Sequence, residues 1–441
     1  MTGSSLDPEA KKRLIGRFFG RAEVSGGVSN AKPTYRPAHR VNVPEAFTRF
    51  DRHPGYQELL VPKVAAKTLR VRNPFFTAHD GVAGAVTRIE GREYLNFSSY
   101  NYLGLAGHPA INKAAKDAID RYGTSASASR LVSGERPIHR ELEEALAENY
   151  GVEDCAVFVS GHATNVTTIS YLFGSKDLVI HDALIHNSSL EGAKLSGSVR
   201  RSFPHNDFNA LDTILEEIRS QFERVLIVVE GHYSMDGDIP DLPRLIDIKR
   251  RHGCFLMVDE AHSLGTMGIT GRGIHEHFDV SGKDVDIWMG TLSKTLAGCG
   301  GYIAGEQALV ENLKYSAPGF VYSVGIAPPL AAASLAALRI MHKEPERVAR
   351  LRENGRLFLK LVREIGIDAG TSQGIAIVPA ITGSSLKSVK LSNLLFDGGI
   401  NVQPIISPAV EEKKARLRFF LSALHNEDQL KRTVDIFAQC K

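Results

Sequence analysis

Four short stretches of this chain place chemically reactive side chains directly after apolar runs. In TLSKTLAGCGG, Lys294 follows the hydroxyls of Thr291 and Ser293 and precedes Gly298, Gly300 and Gly301. A lysine amine attacks an aldehyde once burial and neighbouring groups lower its pKa. The two hydroxyls suit phosphate oxygens. In FLMVDEAHSLG, Asp259 ends an apolar run and His262 follows three residues later. A carboxylate at a buried strand end can pair with a ring nitrogen, although the pattern also fits a helix N-cap and a surface histidine. In AVFVSGHATN, the turn Gly161-His162 opens a predicted helix, whose first N–H groups form an anion site. In ALIHNSSLEGA, His186 is an imidazole able to stack on a flat cofactor or to serve as an ordinary structural histidine. Each stretch read alone has a structural explanation. Read jointly, the lysine, the upstream acid, the glycine turn and the histidine describe the site of a fold-type-I pyridoxal phosphate (PLP) enzyme.

Such a site needs a sheet to carry it. Continuous apolar runs at 155–159, 178–180, 225–229, 255–258 and 287–289 read as buried parallel strands. Helical spacing at 109–121 and 137–150 supplies covering helices. In open α/β sheets ligands sit at the carboxyl ends of strands, where the four stretches fall. Residues 86–97 read as a hairpin around Glu90-Gly91, and a long helix is expected from Pro328 to Met341. Beyond residue 343 the pattern is a smaller α+β unit: a helix near 345–365, strands near 375–381 and 415–421, and a C-terminal helix from about 426. Residues 22–45, rich in Gly, Pro, Ser and Asn, read as a linker or loose arm. The expected organisation is a basic N-terminal arm over 1–72, a large PLP-binding domain with its lead-in over 73–335, and a small C-terminal domain over 336–441.

Composition narrows the function classes. The 441 residues carry 53 Lys+Arg against 50 Asp+Glu, a net charge of +3, which argues against a protein that coats nucleic acid. The four cysteines form no CxxC, so neither a zinc site nor a disulfide framework is expected, and no metal is. No apolar run is long enough to span a membrane, and the N-terminus has no signal-peptide apolar region. The expectation is a soluble cytoplasmic enzyme. Charge is segregated, however: residues 1–40 hold eight basic and three acidic side chains, a balance of +5, leaving −2 on the rest.

Several longer motifs carry a resemblance. NYLGL at 101–105, SRLVSG at 129–134, SGHATN at 160–165, HNSSLEG at 186–192, EGHYSMDGDIPDL at 230–242, VDEAHSLGTMGITGRG at 258–273, TLSKTLAG at 291–298 and RLRFFLSALH at 416–425 resemble the α-oxoamine synthase family. This family includes 8-amino-7-oxononanoate synthase and serine palmitoyltransferase. The resemblance runs from about residue 75 to the end. It implies that Lys294 joins the PLP aldehyde, Asp259 pairs with the pyridine nitrogen and His186 stacks on the ring. It places His262 and Ser234 near the ring hydroxyl, and Thr291 with the turn Gly161-His162 at the phosphate. Arg418, with Asn101, would take the amino-acid carboxylate, a task suited to the planar guanidinium. A homodimer with shared sites is implied, Ser323 of YSVGIAPP completing the partner's phosphate site. Here the sequence has glycine where several members have a second hydroxyl, and His162 stands where relatives often have an aromatic residue.

The implied reaction is a decarboxylative condensation of a small amino acid with an acyl thioester, on coenzyme A or an acyl carrier protein, giving an α-amino ketone for lipid, biotin-like or polyketide-linked biosynthesis. Ser129 occupies a position where glycine-using members carry the larger Thr, which favours alanine or serine over glycine. The basic arm reads either as a solvated tail or as a dock for an acidic carrier protein. An aminotransferase of the same fold and a non-catalytic partner subunit are the alternatives.

Overall fold

The computed structural model describes residues 42–68 and 71–441. Packing separates two units, one holding the described residues up to 65 and the other running from 66 to 441. In the first, two single turns at Glu45–Phe47 and Phe50–Arg52 lead into a helix beginning at Pro54. Phe47 and Phe50 of this unit are exposed. Of the expected basic arm over 1–72, residues 1–41, which include the charged stretch 1–40, lie outside the described residues.

The second unit opens with the expected hairpin, β1 (Val86–Ile89) and β2 (Arg92–Asn96), turning at Glu90-Gly91. A seven-stranded sheet follows, built from β3 (Asp154–Phe158), β4 (Leu178–Asp182), β5 (Val199–Phe203), β6 (Val225–Glu230), β7 (Phe255–Asp259), β8 (Ile287–Thr291) and β9 (Gly301–Gly305). Its order is 3-9-8-7-6-4-5. All pairs are parallel except those made by β9, which is antiparallel to β3 and to β8. Every residue of β6 is buried, as a strand covered on both faces requires, which is why its first five residues, VLIVV, are continuously apolar before Glu230.

Two strands depart from the sequence reading. The stretch GYIAG, not among the expected strands, forms β9. Glycine at 301 is what allows it: a Cβ there would sit 2.5 Å from Thr164 Oγ1 and 2.7 Å from Gly161 Cα. The strand therefore passes against the start of the helix Gly161–Leu172 only without a side chain. β5 was missed because four of its five residues are exposed and two are arginines, leaving no apolar run on this edge.

C-terminal elements form a second sheet, β10 (Ile377–Ile381), β12 (Gln403–Ile405) and β13 (Arg416–Phe420), with β13 central and all pairs antiparallel. The intervening β11 (Ile400–Asn401) instead pairs in parallel with β2. There Leu95 N–H donates to Gly399 O (2.9 Å), Phe97 N–H to Asn401 O (2.9 Å), and Asn401 Nδ2 to Asn96 Oδ1 (3.0 Å). Helices Pro328–Lys343, Glu346–Glu364 and Glu427–Cys440 lie within a few residues of their expected ranges. No helix among the described residues is long and apolar enough to cross a membrane.

Candidate active site

Strand ends build the site. Asp259 closes β7, Thr291 closes β8, Glu230 closes β6, and the helix Gly161–Leu172 starts three residues after the end of β3. These residues converge on a cavity of about 220 Å³ lined also by His162, Asn165, His186, Ser188, His262, Ser293 and Lys294. The structure therefore brings together eight residues singled out in the sequence: Gly161, His162, His186, Asp259, His262, Thr291, Ser293 and Lys294. Ser234, Asn101, Ser129, Arg418 and Ser323 do not line it.

Lys294 donates from Nζ to Nε2 of His262 at 2.7 Å, and Nδ1 of His262 meets the Tyr102 hydroxyl, also at 2.7 Å. A protonated Lys294 can only donate, so opposite the ammonium Nε2 is the acceptor and Nδ1 carries the proton. Burial, helped by the Arg418 charge, lowers the Lys294 pKa to about 8 despite the opposing Asp259 and Glu230 carboxyls. Burial also holds His262 well below the usual imidazole range, with Lys294 and Arg418 adding to the effect. The surface-histidine reading of His262 is thus corrected, since its side chain is enclosed among Tyr102, Lys294 and the neighbouring rings. The N-cap reading of Asp259 is corrected too, because its chain continues into turns rather than a helix.

Asp259 is oriented by two donors. Asn165 Nδ2 reaches Oδ2 at 2.9 Å and the Ala261 N–H reaches Oδ1 at 3.0 Å. Asn165 also donates to Ser188 Oγ at 2.9 Å, and Ser188 Oγ meets His186 Nδ1 at 2.6 Å. A single chain of contacts therefore sets both Asp259 and His186. His186 caps the helix Asn187–Ser196, its Nδ1 accepting the Ser188 N–H. Burial lowers its pKa.

At the other end, Ser160 caps the helix Gly161–Leu172 by accepting the Ala163 N–H, and the first backbone bond runs from Thr164 N–H to Ser160 O. The N–H groups of Gly161 and His162 precede it, at a helix start suited to an anion, and both residues line the cavity. Thr291 Oγ1 lies 2.8 Å from Ser293 Oγ and 2.9 Å from Gly300 O.

Arg418 sits on β13, buried. Nη1 donates to Ser234 O at 2.9 Å and reaches Met235 Sδ at 3.4 Å, while Nε has no partner. Its guanidinium lies 4.5 Å from the Phe420 ring centre, Phe420 packs against Tyr100 at 4.8 Å, and Lys294 Nζ lies 5.3 Å from the Tyr100 ring centre. An aromatic cluster thus joins Arg418 to the cavity. Asn101 is occupied elsewhere: its carboxamide donates to Ala83 O at 2.7 Å and accepts the Ala106 N–H at 3.1 Å. Ser129 donates to Val321 O at 2.6 Å, tying the SRLVSG turn to the segment that holds Ser323. Beside it, Arg130 is paired with Glu143 and Glu135, and Glu143 also takes Lys314 Nζ at 2.7 Å.

Sequence reasoning missed Glu230, Asn165, Tyr100 and Tyr102. Glu230 and Asn165 stood inside quoted motifs, and the strand-end rule that selected Asp259 also selects Glu230. Burial pushes the Glu230 carboxyl up to about 8, with Asp259 adding to it. The cavity suits a flat anionic cofactor on four counts. Its lining offers the N–H groups of a helix start with two hydroxyls, an oriented carboxylate and a buried amine. Two buried lining oxygens, Glu230 Oε1 and Asn165 Oδ1, are also without partners.

The model of the aminotransferase class I and II family matches residues 92–437. The chain belongs to that family. It is 41% identical over 351 residues to the 8-amino-7-oxononanoate synthase of Symbiobacterium thermophilum, covering 80% of this chain and 89% of that one. To the enzyme of the same name from Geobacter sulfurreducens it is 42% identical over 362 residues, covering 81% and 92%. Among solved structures, the serine palmitoyltransferase of Sphingomonas wittichii superposes with a TM-score of 0.84 at 30% identity, covering 88% of this chain and 97% of that one. A serine palmitoyltransferase with PLP as its internal aldimine gives the same TM-score at 27% identity, covering 88% and 97%. The expected fold class therefore holds: a fold-type-I transferase with a large, mainly parallel sheet and a smaller sheet beside it. The protein is a PLP-dependent α-oxoamine synthase.

Proposed function

We propose that this synthase condenses alanine or serine with an acyl thioester, releasing the thiol and carbon dioxide and leaving an α-amino ketone. The observation that carries the reading is the Lys294 amine, held 2.7 Å from a neutral His262 and lowered to about 8. A group poised near the working pH both attacks a carbonyl and moves a proton. Lys294 would hold the cofactor covalently, Asp259 would hold its ring nitrogen, and Thr291 with the Gly161 and His162 N–H groups would hold its phosphate. Bound PLP supplies an electron sink for the pair left on Cα when its proton departs. Lys294, freed by the incoming amine, takes that proton at Nζ and later returns one. His262 keeps Nζ aimed, itself fixed by Tyr102. Arg418 receives the substrate carboxylate, with Nε still available to donate. Ser234 and His262 attend the ring hydroxyl.

Relatives named 8-amino-7-oxononanoate synthase support alanine, and the small Ser129 agrees with a side chain larger than glycine's hydrogen. We also infer a cytoplasmic homodimer in which the partner contributes Ser323, and a thioester carried on coenzyme A or an acyl carrier protein. The test is mass spectrometry of products from a matrix of amino acids and acyl thioesters on both carriers, with carbon dioxide measured alongside. Lys294→Ala should keep the fold and make no product. Product from that variant at saturating substrate, or amino-group transfer to a keto acid without carbon dioxide, would overturn the reading. Deleting residues 1–40 should impair carrier-protein donors more than coenzyme A donors if the basic arm docks a carrier.

A further inference from the structure

A second cluster of buried charges lies outside the cavity. His205, just after β5, stands between two carboxylates: Nδ1 is 2.9 Å from Asp182 Oδ1 at the end of β4, and Nε2 is 2.9 Å from Asp238 Oδ2. The Asp182 side chain is fully buried and that of Asp238 nearly so. Burial works against a charge on His205, but the two carboxylates overcome it and raise its pKa to about 10. The site is thus an imidazolium bridging two acids, and the mechanism above uses none of the three.

What this bridge holds is the segment 233–238. Tyr233 N–H donates to Asp238 O and Gly237 N–H to Tyr233 O, both at 2.9 Å, so the segment closes on itself as one tight loop. Gly237 has φ +72°, and a Cβ there would strike Ile377 O, so the loop is wedged against β10. Asp238 Oδ2 also accepts Thr371 Oγ1 at 2.8 Å, and Gln373 N–H donates to Gly237 O at 3.1 Å. The edge of Tyr233 packs on the His205 ring at 4.5 Å. The outer side of the loop presents the groups that receive Arg418, namely Ser234 O and Met235 Sδ, and Met235 O receives Arg416. Both hydrogen-bond partners of Arg418 therefore belong to this loop.

We propose that His205 is a positioning residue for substrate-carboxylate recognition: bridging Asp182 and Asp238, it locks the loop 233–238 in the one place from which Ser234 and Met235 aim Arg418. The inference rests on the reading that Arg418 binds the amino-acid carboxylate. With His205 neutral, two buried carboxylates lose their shared cation and separate. Asp238 belongs to the loop and moves with it. Asp259 and Lys294 are held by other groups and keep their geometry, whereas Ser234, whose N–H donates to Glu230 Oε2 at 3.0 Å, moves with the loop.

The test compares amino acids with the amines that lack their carboxylate. Alanine against ethylamine, and serine against ethanolamine, are titrated into PLP-loaded protein and followed by the visible absorbance of the cofactor. His205→Gln should weaken alanine or serine between about tenfold and a hundredfold, the loss typical of a misplaced binding group, with the amines unaffected. KM for the amino acid should rise while KM for the acyl thioester and kcat change little. His205→Lys, which keeps a cation between the carboxylates, should retain most of the preference. Should His205→Gln fail to fold, Thr371→Val removes a donor from Asp238 and should shift the same ratio in the same direction. Equal weakening of acid and amine, or no change in their ratio, would overturn the proposal. Arg418→Gln separates the two failures. If it abolishes the preference and the His205 variants do not, the positioning role falls alone. If Arg418→Gln leaves the preference intact, the reading of Arg418 falls and takes this inference with it.

Discussion

Lys294 should react with PLP far faster than an ordinary lysine near neutral pH, and the factor follows from its surroundings. An unperturbed lysine at 10.5 is about 0.03% neutral amine at pH 7, whereas one lowered to about 8 is about 9% neutral, a gain of roughly 300-fold. The assay strips the cofactor, adds PLP at a series of pH values, and follows initial recombination by absorbance. Borohydride trapping and peptide mapping then locate the modified lysine. The rate should rise through a midpoint near pH 8 and level off above it. Burial is the first cause, and the Arg418 charge adds to it, so Arg418→Gln should move the midpoint upward. Asp259 and Glu230 oppose burial, so Asp259→Asn should move it downward. The sign extends to stability. A lysine depressed on folding favours the native state above its unfolded pKa, and that contribution is lost as pH falls from 10.5 toward 8. A recombination midpoint near 10.5, or labelling spread over several lysines, would refute the reasoning.

Three further perturbations test the surrounding structure. Glu143→Leu leaves Lys314 beside an apolar group and Arg130 with Glu135 as its one remaining carboxylate partner, and urea unfolding should show a loss of about 3–5 kcal/mol. Asn165→Ala removes the donor to Asp259 Oδ2, and should cost about 1.5–3 kcal/mol in the same assay while weakening PLP retention on dialysis. Gly301→Ala pushes a methyl against Thr164 and Gly161, and should cost about 1–3 kcal/mol with a matching drop in PLP affinity, measured by titration of the stripped protein.

The site was legible in the sequence wherever chemistry and local pattern coincide. Asp259, Thr291 and the Gly161 turn each follow a buried apolar run, so position along a strand was enough to select them. His262 was selected by type, but its burial comes from Tyr102, Tyr100 and Phe420, residues about 160 positions away, and no local pattern reports that. β9 was lost because glycine is both the loop former and the residue that permits close backbone approach. β5 was lost because an edge strand exposed along most of its length carries no apolar signature. Asn101 stands in a quoted motif, and its carboxamide is engaged by the backbone of Ala83 and Ala106, the first of which lies before the hairpin. His205 escaped notice because its meaning lies in two acids, 23 residues before it and 33 after.

The parallel pairing of β11 with β2 sets an order of events during synthesis. Asn96 and Asn401 hydrogen-bond across 305 positions. At ribosomal speeds of about 5–20 residues per second, the hairpin waits roughly 15 to 60 s for its third strand. For that interval one edge of β2 offers open N–H and C=O groups to any passing strand. Arg92 and Glu93, exposed at the start of β2, place charge on an edge that stays bare until the distant partner emerges.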